Sequence, residues 1–279
     1  ITDDDNSLVG IASLRALATT HPETRLKEIM VKKVHKVRPE TDQEEVAQLV
    51  AQYNYLAVPV VDSDNILLGI VTVDDVVDVI REEATEDFLQ MAGAGKDREI
   101  LLKSSWDSAK IRIPWLLASW TGGIIASLVI GNFEKMLENT IVLVSFIPII
   151  IGMGGNIGTQ SSTIIVRGMA TGRITMGHEG TTIFKELKTG VILGLLYGLM
   201  LGLFAGFRFL DTEPMIGVVV GLSICSSMII ATGVGTLTPL VLRKLEIDPA
   251  IATGPFVTTS IDILGVLLYF LIAGLLLQS

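Results

Sequence analysis

Residues 255–276 read PFVTTSIDILGVLLYFLIAGLL, an apolar run that contains one acid, Asp262. An ionised carboxylate at the centre of a bilayer costs about 2.5–3.5 kcal/mol even on the insertion scale, so such a residue faces a partner, a wet cavity or an ion. Thr258 and Thr259 lie four and three residues earlier, on the same helical side as the acid. Gly254 and Pro255 loosen the chain one turn further back. A buried neutral acid, a proton relay and an ion site are all chemically open to Asp262. No His or Cys accompanies it, which argues against a soft transition metal.

A second stretch, IPIIIGMGGNIGTQSSTIIVRG (147–168), sets Gly152, Gly154, Gly155 and Gly158 around Asn156, followed by Thr159, Gln160, Ser161 and Ser162. Glycines let backbones approach closely, and irregular backbone at membrane depth is tolerated where it lines a cavity. The expectation is a helix that breaks around Asn156 and offers oxygen atoms. Close helix packing is the plainer alternative. A third set crowds Asp74, Asp75, Asp78, Glu82, Glu83, Glu86 and Asp87 onto one helix, either as a solvated face or as a cation-binding one.

These residues sit in a chain of 279 residues, 49% of them hydrophobic, with net charge −9. The mean hydropathy of +0.58 is too high for an ordinary soluble protein. Acids concentrate before residue 110, and charges become sparse after Arg112. Five apolar stretches follow, over about 112–131, 141–166, 186–209, 214–242 and 249–277, each long enough to span a bilayer. Lys103, Lys110 and Arg112 precede the first. Arg167, Arg173, Lys185 and Lys188 follow the second, and Arg243 and Lys244 the fourth. The positive-inside rule then puts the N-terminus in the cytoplasm and the C-terminus outside. Counted from Asp248 at 1.5 Å per residue, Asp262 lies about 20 Å into the last span, near the midplane.

The single Cys225 gives no internal disulfide. The acidic charge and the absence of a basic–aromatic patch argue against nucleic acid. No P-loop, zinc-protease helix or nucleophile–base set points to an enzyme. The polar opening ITDDDNSLVG has no signal-peptide pattern, and the chain is expected to begin inside a longer protein.

The soluble part has a β-α-β-β-α rhythm. HKVRP is a short strand. Thr41 caps a helix whose stripe is Val46, Leu49 and Val50, with Glu44 completing a capping box. YLAVPVVD and LLGIVTV are strands around an SDN turn, and a last helix turns Val76, Val77 and Ile80 inward. This stretch, most typically AVPVVDSDNILLGIVTVDDV, resembles a CBS domain, and LVGIASLRALATTHPETRLKEIM resembles the tail of a preceding one. With GGNIGTQ in the second span and DPAIATGPFVTTSID at the fifth, the chain resembles the MgtE family of magnesium channels and transporters.

The resemblance implies an α-helical membrane protein of five transmembrane helices with an N-terminal cytoplasmic α/β CBS domain. Its parts are residues 1–22 (a CBS tail), 23–83 (CBS), 84–110 (an amphipathic connector helix, interrupted at 93–95) and 111–279 (the membrane domain). It implies a plasma-membrane homodimer with its pore at the two-fold axis, contacting lipid and no nucleic acid. It also implies Mg2+ uptake, closure by cytoplasmic Mg2+, and adenine nucleotide as a ligand to consider at the CBS pair. The matching pore positions are Asp262, Thr258, Gly155, Asn156 and Thr159. The matching regulatory positions are Asp75, Asp78, Glu83, Glu86, Asp87, Asp42, Glu44 and Asp248. Asn54 stands where the family can carry an acid, and Thr258 and Thr159 also depart from its pattern. A proton-coupled divalent-cation carrier and a membrane-bound metal or nucleotide sensor are the competing readings.

Overall fold

The computed structural model describes residues 1–174, 177 and 179–277. The chain folds as two compact units, Ile1–Ala84 and Thr85–Ser279.

In the first unit, two short helices, α1 (Leu14–Thr19) and α2 (Leu26–Ile29), precede α3 (Gln43–Tyr53). The cap of α3 is Asp42, whose Oδ1 accepts from the Glu44 N–H at 2.8 Å, and not the expected Thr41. Thr41 instead accepts from the Arg38 N–H at 3.0 Å, closing the turn before the helix. Asn54 ends α3 with φ of 54°, in the left-handed conformation that Asn tolerates. Strands β1 (Ala57–Val61) and β2 (Leu67–Thr72) pair antiparallel. Asp62 closes the turn between them by accepting from the Asp64 and Ile66 N–H groups. The expected first strand is reduced to one bridge, Val37 to Val60.

The core of this unit is Val37, Val46, Ala47, Val50, Val58 and Val76. Helix α4 (Val73–Met91) contributes Val76, with Val73 and Val79 beside it. Val77 and Ile80 do not turn inward as expected. They are exposed, along with Leu56, Leu68 and Ile70. The helix can direct only one stripe at so small a core, and Val73, Val76 and Val79 at three-residue spacing take it.

The connector expected over 84–110 is interrupted at 93–95, as expected, but beyond the glycines it is not α-helical again until Ser105. Helix α4 continues to Met91, and then Gly93 and Gly95 take φ of +69° and +91°, which end it. One 3-10 turn, Ile100–Leu102, precedes α5 (Ser105–Gly131), which Ser104 caps. A short α6 (Glu134–Asn139) and a 3-10 turn (Ile141–Phe146) lead into α7 (Ile147–Ala170). Helices α8 (Gly180–Arg208), α9 (Ile216–Lys244) and α10 (Pro255–Leu277) follow, with a 3-10 turn at Pro249–Thr253. Five segments, 105–131, 141–170, 180–208, 216–244 and 255–277, are long and apolar enough to cross a membrane.

Helix α7 is continuous through 152–158, where a break was expected. The glycines there serve approach: a Cβ on Gly158 would sit 2.0 Å from Ile261 Cδ1 and 3.3 Å from the Ala231 carbonyl. The irregular backbone lies earlier, in the 3-10 turn, where the buried Tyr269 hydroxyl donates to the Leu143 carbonyl at 2.9 Å.

Helix α9 is the centre of the second unit and packs against α7, α8 and α10. Its contact with α8 is backbone on backbone. A Cβ on Gly198 would lie 2.6 Å from the Gly221 carbonyl, and one on Gly202 2.8 Å from the Gly217 carbonyl. With little hydrophobic drive between helices in lipid, such close approach supplies the packing energy. Gly198→Val should therefore lower the thermal unfolding midpoint in detergent, for a cost of about 1–3 kcal/mol or more. Gly123→Val, where nothing lies within 4 Å of the added Cβ, should leave it unchanged. Equal midpoints in the two variants would refute the backbone seam.

Candidate metal sites

Helix α10 starts at Pro255, because residues 249–253 form a separate 3-10 turn. Asp262 is thus about 10 Å along the helix itself. It is half-buried, and among the described residues it makes no hydrogen bond or ion pair. A knob fixes its direction. Ile261 fits against Gly154 and Gly158 of α7, with added Cβ atoms meeting its side chain at 3.0 and 2.0 Å. The next residue then meets Gly155: a Cβ there would be 3.7 Å from Asp262 Oδ1, with no other atom inside 4 Å. The carboxylate therefore faces an open patch of α7 backbone.

Thr159 Oγ1 donates to the Gly155 carbonyl at 2.9 Å, so its remaining oxygen lone pairs are available to a water or ion. Thr258 is half-buried and bonds loosely to its own helix, to the Pro255 carbonyl at 3.3 Å. Asn156 is exposed on α7. Thr259 turns the other way and presses its methyl on Gly122 of α5. The structure therefore brings Asp262, Gly155 and Thr159 together along the α7–α10 seam. It gives Asn156 and Thr258 no direct bond to the acid.

The sequence-derived regulatory acids fall into separate groups. In the first unit, Asp75 accepts from the Thr72 hydroxyl at 2.7 Å, and Glu83 accepts from Gln43 at 2.5 Å. Asp42 is committed to the α3 cap, and Glu44 accepts from Gln48. Asp78 is exposed; Asp87, which belongs to the second unit, lies half-buried near the end of α4. Among the described residues no three His, Cys, Asp or Glu side chains converge as a metal cluster.

In the second unit, two of the predicted acids do meet. Lys96 Nζ lies 3.1 Å from Asp248 and 3.5 Å from Glu86, and Arg98 reaches Glu86 at 3.7 Å. Buried Gln90 donates to Asp248 at 2.8 Å, and the Ala250 N–H does so at 2.9 Å. Burial pushes the Asp248 carboxyl up, but the donors Ala250, Gln90 and Lys96 outweigh it and hold the group below its ordinary value. Burial pushes Lys96 down, and Asp248 and Glu86 outweigh that and raise it. Just beside this hub, Gly93 packs on Pro255, the first residue of α10, with an added Cβ at 3.3 Å. The sequence reading overlooked Lys96 and Gln90. The available signal was a lone lysine just after the glycines that end an acid-rich helix.

Residues 147–272 match the MgtE divalent cation transporter family, and residues 26–82 match the CBS domain family. The magnesium transporter MgtE of Bacillus subtilis is 37% identical over 279 residues, covering all of this chain and 61% of that protein. The Thermus thermophilus magnesium transporter MgtE is 38% identical over 281 residues, covering all of this chain and 62% of that protein. That of Enterococcus faecalis is 37% identical over 278 residues, with 60% of its length covered. The chain thus spans about three fifths of the relatives it matches. Two solved structures match over shorter stretches. One is the soluble part of a magnesium transporter, 49% identical over 30% of this chain and 32% of that one, with TM-score 0.29. The other is the cytosolic domain of the Mg2+ channel MgtE in complex with ATP, 54% identical over 28% and 32%, with TM-score 0.28. A CBS domain followed by five membrane helices, the last four carrying the MgtE match, makes this multi-pass membrane chain a member of the MgtE family.

Proposed function

We propose that this chain is the CBS and membrane portion of a Mg2+-selective channel for magnesium uptake, closed by cytoplasmic Mg2+. The observation that carries the reading is the unpaired Asp262 carboxylate facing the open backbone at Gly155. The relatives' names, magnesium transporters, supply the ion. In this reading the protein is a homodimer in the plasma membrane, its N-terminus in the cytoplasm and its C-terminus outside. A two-fold axis between α7–α10 seams brings two Asp262 carboxylates to one ion. Two such charges neutralise a divalent ion in a low-dielectric site. Mg2+ sheds water reluctantly, so it takes one or two carboxylates and keeps several waters. The Thr159 and Thr258 oxygens and the Asn156 amide then act on that water shell rather than on the metal.

The regulatory half of the reading uses Asp75, Asp78, Glu83, Glu86, Asp87, Asp42, Glu44 and Asp248. Close acids repel by about 1–4 kcal/mol per pair at effective dielectrics between water and a protein surface. Cytoplasmic Mg2+ between them cancels that repulsion and favours the closed packing, so binding and closure are linked. The hub of Glu86, Lys96 and Asp248 stands beside the start of α10, which gives such binding a route to the helix of Asp262. The exposed Leu56, Leu68, Ile70, Val77 and Ile80 are assigned to contacts with the rest of the CBS pair. Adenine nucleotide belongs to the proposal for the CBS part alone. A calorimetric titration with ATP that gives no heat above dilution removes it.

Asp262→Ala in liposomes should lower Mg2+ flux by more than about tenfold, since each 1.4 kcal/mol of lost ion stabilisation is a factor of ten. Asp262→Asn keeps the shape and should lose affinity. Flux at the normal rate in Asp262→Ala would sink the ion site. The proton-coupled carrier uses the same acid, and flux that persists without a proton gradient separates the two.

Neutralising Asp75, Asp78, Glu83 and Glu86 together should abolish the dependence of current on internal Mg2+. Patch recordings with stepped internal Mg2+ test this, and unchanged inhibition would rule the gating reading out.

The Asp248 hub makes a separate pH statement. Its carboxyl is held low, so its contribution to stability is present above about pH 4 and is lost as pH falls through the lowered value. Lys96 is held high, so its contribution persists until pH rises through the raised value, above about 10. Between about pH 7 and pH 3 the thermal midpoint should fall more steeply for the unsubstituted chain than for Asp248→Asn. Parallel curves would show that the hub does not contribute.

A further inference from the structure

Glu186 lies on α8 and is 6% exposed, yet among the described residues it makes no hydrogen bond or ion pair. It belongs to the same buried stripe as Gly190, Gly194 and Gly198, four residues apart, and that stripe packs on α9. The register of the antiparallel pair follows from the glycines. A Cβ on Gly190 would meet Thr232 Oγ1 at 2.5 Å, and one on Gly233 would meet Leu187 Cδ2 at 3.7 Å. One four-residue step back along α8 and forward along α9 sets Glu186 level with Thr236. One turn further, Ile183 of α8 packs on the cluster of Val166, Met169 and Leu240.

Helix α7 supplies a third wall. Gly158 meets Gly235, whose added Cβ would lie 2.2 Å from the Gly158 carbonyl. Val166 belongs to the cluster that Ile183 joins. Ser162, midway between them on the same face, therefore stands at the level of residues 235–239. Ser162 Oγ and Thr236 Oγ1 are both fully buried and have no hydrogen-bond partner. The contrast with Thr232 is direct, because its hydroxyl donates to its own Met228 carbonyl at 2.8 Å. Pro239 in the same turn of α9 has no N–H to give the Gly235 carbonyl, which therefore loses its helical donor.

We propose that Glu186, Thr236, Ser162 and the Gly235 carbonyl form a site for one Na+ ion where α7, α8 and α9 meet. The charge selects the ion class. One carboxylate balances a monovalent cation, whereas a divalent ion would leave a net positive charge in apolar surroundings. Carbonyls freed from a helix ladder are the usual partners of a sodium ion at membrane depth. Nearby cations do not compete. Lys185 and Lys188 point to the exposed side of α8, and Arg243 donates to the Ile174 carbonyl at 3.2 Å. The ion ties the two helices on either side of α9 to it and satisfies oxygens that otherwise stay unbonded. This site goes beyond the proposed Mg2+ transport and does not depend on it.

The test is the thermal unfolding midpoint of the purified chain in detergent, in NaCl, KCl and choline chloride at equal ionic strength. A saturable rise in Na+ alone is expected, of about 5 °C when Na+ greatly exceeds its dissociation constant. Glu186→Gln should abolish the Na+ dependence, whatever its own midpoint. Thr236→Val should raise the half-saturating Na+ concentration about tenfold, the equivalent of about 1.4 kcal/mol. If Glu186→Gln does not fold, Thr236→Val carries the test. Equal midpoints in Na+ and choline, or an undiminished Na+ response in the variants, overturn the site. A rise on acidification without any response to Na+ assigns a neutral acid to Glu186 and overturns it equally. No Mg2+ flux enters the measurement, so its failure leaves the channel reading untouched.

Discussion

An acid inside an apolar helix bundle has to be aimed by something other than a counter-charge. Asp262 has no partner among the described side chains, so its direction comes from its neighbours on α10. Ile261 fills the gap over Gly154 and Gly158, and Thr259 fills the one over Gly122. These contacts clamp α10 between α5 and α7. The rotation that remains points Asp262 at Gly155. Larger side chains at those glycines would push the helices apart and turn the acid away. Packing by small residues and placement of the charge are thus one constraint, which is why they occur in the same stretch of sequence.

The same logic separates what could be read from sequence and what could not. The spans were legible because apolar runs of that length have few alternatives to crossing a bilayer. Asp262 was legible because an acid in such a run is anomalous by type alone. The continuity of α7 was not, since GMGGN is compatible both with a broken helix and with a helix whose neighbour lies unusually close. Only the partner, Ile261, decides between them. Thr41 and Asp42 are both good caps, and a one-residue choice between them depends on the turn that Arg38 closes. Val77 and Ile80 were misread because helical periodicity tells which residues share a face and not which face meets the core. Glu186 stayed hidden at the margin of an apolar run, where a charged residue reads as a boundary.

The hub at Lys96 shows how a cation already inside the fold bears on one that arrives from outside. Lys96 lies between Glu86 and Asp248, within 3.5 Å of both. A single positive charge shared by two carboxylates leaves the group net negative. Arg98 beside Glu86 brings the sum of the four charges to zero. Within the proposed gating, a divalent ion has to compete with the ammonium for the Asp248 oxygen that Gln90 also holds. Lysine is a compact, mobile point charge on a flexible stem and can withdraw into water at modest cost. Gln90 is buried and cannot follow. Exchange of Lys96 for a divalent ion would therefore leave the Gln90–Asp248 bond as the fixed element and change only the charge beside it. That charge lies next to the Gly93–Pro255 contact at the start of α10, so within the proposed gating Glu86 and Asp248 act on the helix that carries Asp262.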